Sequence, residues 1–266
     1  MLWNISALRG FNIEATDGAI GTVDDILFED QSWKLRWLVV HTGSWLFGRK
    51  VLLPLSALGK PDAAARKFNV LITKKQVQDS PDVVTDLPVS RHLEAHVYHH
   101  YDWNPYWRSG FSSMANAVGT PVYMPRTDDV DPRWQDTATD ALPDDGDEHL
   151  RSVMAVIGYH MEAHDGAIGH AEDFIVDDTD WYIHYITVDT KNWLPGQRVV
   201  ISPELIREID WISRAVYLNA TQEKIKESPP YDPAMTQDGG FNDQFKKYFG
   251  LSMMDHDEKQ HLKIGR

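Results

Sequence analysis

His92, His96, His99 and His100 fall in one short segment that reads as a helix. His92/His96 and His96/His100 are i, i+4 pairs, a spacing that brings two imidazoles to one helix face, as a metal site requires. Glu94 points to another side, so a third ligand has to come from elsewhere in the chain. His92, His96 and His100 are therefore the candidate metal ligands, for a metal-binding or pH-sensing role in the range where free imidazole titrates. The competing reading is a solvated helix face with its rings resting on neighbouring Tyr and Trp. A similar later segment carries Lys246 and Lys247 in place of two of these histidines. That argues against a shared metal site, and no cofactor is expected.

Other residues invite the same two-sided reading. His160, His164, His170 and His184 cluster in the second half. His170 and His184 fall on different expected strands and could face each other, but ordinary exposed strand positions explain them as well. Asp177, Asp178 and Asp180 offer hard oxygens for calcium, yet the run lacks the glycine and the closing glutamate of an EF-hand loop, so a polar turn is expected. Asp25 and Asp173 occupy matching strand positions, either for proton handling or to bond the backbone of the adjacent turn. Tyr101, Trp103, Tyr106, Trp107 and Phe111 crowd around Pro105. Such rings anchor protein interfaces, cover their own domain, or join two copies of the chain. No nucleophile elbow, phosphate loop or dinucleotide fingerprint is present, and no enzymatic activity is expected.

The elements that must position these residues occur twice. Residues 15–21, ATDGAIG, return at 163–169 as AHDGAIG. Trp33 returns as Trp181 and Trp45 as Trp193, at a constant offset of 181 − 33 = 148. A repeat of this length is a tandem domain rather than one turn of a solenoid. Within each copy the apolar pattern has period two, which predicts strands. Asp17-Gly18 and Asp165-Gly166 mark tight turns, and Gly21 and Gly169 read as turn or bulge glycines. Strands are expected over 21–28, 35–42, 50–53 and 68–72, with counterparts at 169–176, 183–190, 198–201 and 215–219. Thr73 and Thr221 stand where helix N-caps belong, and Gln76 completes a capping box.

Short strands joined by tight turns make a small antiparallel barrel, filled by side chains. The expected fold class is mainly β: two such barrels in tandem, each followed by a short helix. Trp33, Trp45, Trp181 and Trp193 are expected to plug the barrel ends or the seam between barrels. The expected boundaries are 1–110 for the first barrel with its aromatic helix and 111–148 for an acidic, proline-containing linker. The second barrel with its helix then takes 149–250, and 251–266 is a tail.

The 266 residues carry a formal charge of −14, no cysteine and 42% hydrophobic side chains, enough for two small cores. Disulfides and thiolate chemistry are excluded. The acidic balance argues against nucleic acid, because a polyanion needs a basic patch. No signal-like N-terminus or membrane-spanning apolar stretch is seen, so a cytoplasmic location is expected.

The order of strand, Asp-Gly-x-Ile-Gly, strand with Asp25 or Asp173, polar turn, apolar strand, glycine, basic residue, apolar strand and proline resembles the PRC-barrel family. That family includes the cytoplasmic domain of the photosynthetic reaction-centre H subunit and a related barrel in a ribosome maturation factor. The resemblance implies a docking or assembly module with a protein partner, open to self-association and without a shared catalytic residue. Metal binding through the histidine helix is the alternative it leaves, and RNA or ribosome association ranks below both.

Overall fold

The computed structural model describes residues 1–81, 89–103, 105, 148–190, 198–228, 243–244 and 247–248. In chain order the first elements are β1 (Leu2–Asn4), α1 (Ile5–Leu8), β2 (Asn12–Ala15), β3 (Gly18–Glu29), β4 (Leu35–His41), β5 (Lys50–Pro54), β6 (Lys67–Asn69), α2 (Lys74–Gln78), β7 (Val89–Ser90) and α3 (Arg91–His100). After the intervening residues come β8 (Glu148–Ser152), α4 (Val153–Val156), β9 (His160–Ala163), β10 (Gly166–Asp177), β11 (Ile183–Asp189), β12 (Arg198–Ile201), β13 (Ile206–Asp210), β14 (Ala215–Leu218) and α5 (Gln222–Lys226).

These elements form two compact units, one continuous in sequence and the other assembled from two segments. The earlier unit is Gly10–Ser152, and the later one combines Met1–Arg9 with Val153–Arg266. The expected boundaries at 110 and 149 thus need correcting at both leading segments. Strands of three and five residues, β1 and β8, give no sequence signal of where they pair.

In the earlier unit the ladder runs β5-β4-β3-β2-β6, with β2 and β6 parallel. β8 adds to the far end of β3 through Leu27↔Ser152, Phe28↔Arg151 and Glu29↔Leu150. In the later unit the order is β12-β11-β10-β9-β14-β13, with β9 and β14 parallel. There β1 adds to β10 through Asn4↔Ile175, Trp3↔Val176 and Leu2↔Asp177. The two arms therefore occupy slots of the same register, each shifted by the repeat offset. The bulges also recur in register, at Val23/Asp25 and Leu27/Phe28 in one unit and at Ala171/Asp173 and Ile175/Val176 in the other. A bulge sharpens the local twist and bends a strand, which lets a long strand such as β3 or β10 serve two neighbours.

The mainly β expectation holds, with a sheet in each unit and few helices. Closure does not follow from the ladders: among the described residues none joins β5 to β6 or β12 to β13. Each sheet wraps a core of its own. Ile13, Ile20, Leu27, Phe28, Trp37, Leu38, Val40 and Phe68 are buried in the earlier unit, and Met161, Ile168, Phe174, Val188, Val200 and Val216 in the later one. The shared bend depends on a close approach at one repeated glycine. A Cβ on Gly21 would lie 2.2 Å from the His41 carbonyl oxygen, and one on Gly169 2.0 Å from that of Asp189.

Trp33 and Trp181 occupy equivalent positions in the turns after β3 and β10. Both sit half-buried in the polar turn with left-handed backbones, at φ 62° and 58°. The Trp33 ring stacks on Phe28 with centroids 5.2 Å apart. No helix among the described residues is long and apolar enough to cross a membrane.

Candidate interaction surface

The histidine helix is tied into its own unit. Nε2 of His100 lies 2.8 Å from the carbonyl oxygen of Gln76 in α2. The later unit has the same bond in another chemistry, with the Tyr248 hydroxyl donating to the Lys224 carbonyl at 2.9 Å. His100 and Tyr248, like Gln76 and Lys224, are related by the repeat offset, so His100 serves as a structural clasp. His96 and His99 are exposed, and the side chain of His92 lies outside the described residues. Among the described residues no group of three or more His, Asp or Glu could hold a metal ion.

Inside the same helix, Glu94 is completely buried and accepts a 2.6 Å hydrogen bond from the Trp37 indole. Tyr98 meets the Trp37 ring edge-on at 4.8 Å. Tyr101 is an internal residue, 5% exposed, stacked on half-buried Trp103 at 4.3 Å. Burial raises its phenol pKa above the usual value. Of the expected aromatic interface, Tyr101 thus covers its own unit. Tyr106, Trp107 and Phe111 lie outside the described residues, as does Trp193.

The repeated aspartates have structural partners that the sequence does not disclose. Asp17 accepts from the Lys74 backbone N–H at 2.8 Å, and Asp165 from that of Gln222 at 2.7 Å. Each Asp-Gly turn therefore caps the helix that follows a distant strand, beside the Thr73 and Thr221 caps predicted from sequence. Asp25 accepts from the N–H of Ile26 at 2.7 Å and from the hydroxyl of Ser152 in the β8 arm. Asp173 accepts from the N–H of Phe174 at 2.8 Å, and from both the N–H and the hydroxyl of Ser6 in the α1 arm. The local backbone bond is legible in the sequence; the arm serine is not, because it arrives from the other half of the chain.

Of the later histidines, His160 and His170 come together, and His184 pairs with an aspartate. His160 faces His170 across the β9–β10 pair with ring centroids 4.6 Å apart, while Nε2 of His184 lies 3.1 Å from Asp180. The Asp177 carboxylate accepts from the backbone and hydroxyl of Thr179, and the first arm joins the same turn, the Met1 ammonium donating to Asp177 and Asp178 and the Trp3 indole to Asp178. That is the polar turn expected there.

Among the described residues, three large apolar side chains in loops are almost wholly exposed. Phe47 is 98% exposed, Leu71 90% and Ile212 97%. Phe47 has φ 53° and ψ 30°, a left-handed conformation that costs a bulky residue about 1 kcal/mol. It follows a single 3-10 turn, Gly43–Leu46, whose Trp45 indole donates to the Ile20 carbonyl. The Lys74 ammonium sits 4.6 Å above the Trp45 ring. Trp45 thus anchors the loop and Phe47 projects from it. The one sequence signal is an aromatic residue before Gly48 in a turn; the second copy has Pro195 at that place.

A comparison with curated proteins finds none that matches this chain. A family model does match, the PRC-barrel domain, over residues 4–77. That span runs from the first arm through β6 to α2, so the similarity to the PRC-barrel domain covers the first copy of the repeat.

Proposed function

We propose that this chain is a non-enzymatic protein-interaction or assembly module, with the Phe47 loop as its contact point for a protein partner. One observation carries the reading: a large aromatic side chain, almost wholly exposed, is held in a costly backbone conformation by an anchored turn within the matched PRC-barrel region. A strained residue that packs against nothing in its own fold is supported by selection on something it touches. Phe offers large contact area with few rotors, the property of an interface anchor. Barrel closure and a tandem pair of PRC barrels belong to the same proposal, supported by the recurrence of bulges and arm slots at one offset. A cytoplasmic protein partner fits the acidic, cysteine-free composition.

The test is crosslinking on the full chain, in extract of the source cell, with native protein beside Phe47→Ala. The native chain should retain a defined partner that the variant recovers at least tenfold less. Equal recovery by both, or no partner with either, would contradict the proposal.

A further inference from the structure

The β10 slot takes Leu2-Trp3-Asn4, and the β3 slot takes Leu150-Arg151-Ser152, in the same register. In each slot a serine of the arm bonds the repeated aspartate, Ser6 just beyond the ladder to Asp173 and Ser152 at the end of the ladder to Asp25. Ile5 and Leu8 of the first arm are buried as deeply as core residues. In both cases the arm has left its own half of the repeat to complete a unit built from the other half. The slot thus selects for a short apolar-led strand and a serine, not for the fold unit to which that strand is attached.

We propose that these slots are exchange sites, and that a second copy of this chain can supply the arm, giving an arm-exchanged dimer. The inference rests on the assembly reading above. Every contact between arm and slot in the closed chain is reproduced in the dimer, so as regards the arm the two forms differ in hinge conformation and chain entropy. The hinge is short and permissive: the first arm ends at Arg9, and Gly10 carries φ +77° with open space around its Cα. An arm tethered to its own chain acts at an effective concentration in the millimolar range, so the dimer grows with protein concentration at the expense of the closed form.

The experiment uses full-length chains and disulfide trapping, free of background because the protein has no cysteine. Leu2 and Asp177 are paired and half-buried, which makes them accessible to oxidation. A Leu2→Cys chain is mixed with a larger, tagged Asp177→Cys chain, and the Leu2→Cys/Asp177→Cys double variant serves as the folding control. The double variant should close on itself, and the mixture should yield a cross-chain disulfide that rises at least tenfold between 10 µM and about 1 mM protein. Failure of the double variant to close, or closure with no cross-chain product across that range, overturns the proposal. Neither outcome touches Phe47, so the partner test above remains separate.

Discussion

Asp173 is buried, and its carboxylate is shared between the Phe174 backbone and Ser6 of the arm. Burial raises its pKa, and the Ser6 and Phe174 hydrogen bonds offset this only in part. The sign follows from linkage. A carboxyl with a raised native pKa binds its proton more tightly folded than unfolded, so its contribution is complete below about pH 4 and is lost as pH climbs through the raised value. Urea midpoints of native protein and Asp173→Asn, measured from pH 4 to 7, should therefore diverge. The native chain loses stability relative to the variant as pH rises, at no more than about 1.4 kcal/mol per pH unit. A constant difference across the range would mean that the carboxyl has no such role. At this scale the sequence reveals which aspartates are repeated and hides their partners. A hydrogen bond from residue 6 to residue 173 leaves no local trace in either segment.

β3 and β10 show what is legible among elements and what is not. Their Asp-Gly starts, bulges and following turns recur at one offset, and period-two alternation marks them as strands. β1, β8 and β13 are too short or too irregular for alternation to register, and their pairing is set by tertiary contacts. The repeated close approach gives a direct check. Gly169→Ala places a Cβ 2.0 Å from a backbone oxygen at φ +142°, whereas Gly10→Ala at φ +77° meets nothing within 4 Å. Thermal unfolding should show Gly169→Ala losing about 3 kcal/mol or more, and Gly10→Ala about 1 kcal/mol. Equal losses would contradict the crowding argument. A second check concerns α3. Trp37→Phe removes the indole donor from fully buried Glu94 and should cost about 2 kcal/mol beyond the packing change. Adding Glu94→Leu should recover part of that loss, and a double variant worse than either single would count against it.

Across the whole molecule, the duplication is readable because every paired position moves together, while the division into units is not. A repeat predicts two contiguous domains; the chain instead lends each unit an arm from the other half. The proposed contact point, Phe47, lies apart from the aromatic segment singled out by sequence, of which Tyr106, Trp107 and Phe111 fall outside the described residues. Aromatic crowding points to Tyr101 and its neighbours, but Tyr101 is buried in its own unit, whereas the exposure of Phe47 depends on a turn held by Trp45. The most direct test asks which slot the first arm occupies. A protease site is inserted within residues 118–140 of the full chain, combined with Leu2→Cys/Asp177→Cys in one version and Leu2→Cys/Glu29→Cys in another. The chain is oxidised while folded, then cut and run on a denaturing, non-reducing gel. With the first arm in the β10 slot, the Leu2→Cys/Asp177→Cys version holds the two fragments together as one band, while the Leu2→Cys/Glu29→Cys version releases them. Efficient disulfide closure in the Leu2→Cys/Glu29→Cys version, with the Leu2→Cys/Asp177→Cys version falling apart into separate fragments, would contradict that placement and the arm exchange built on it.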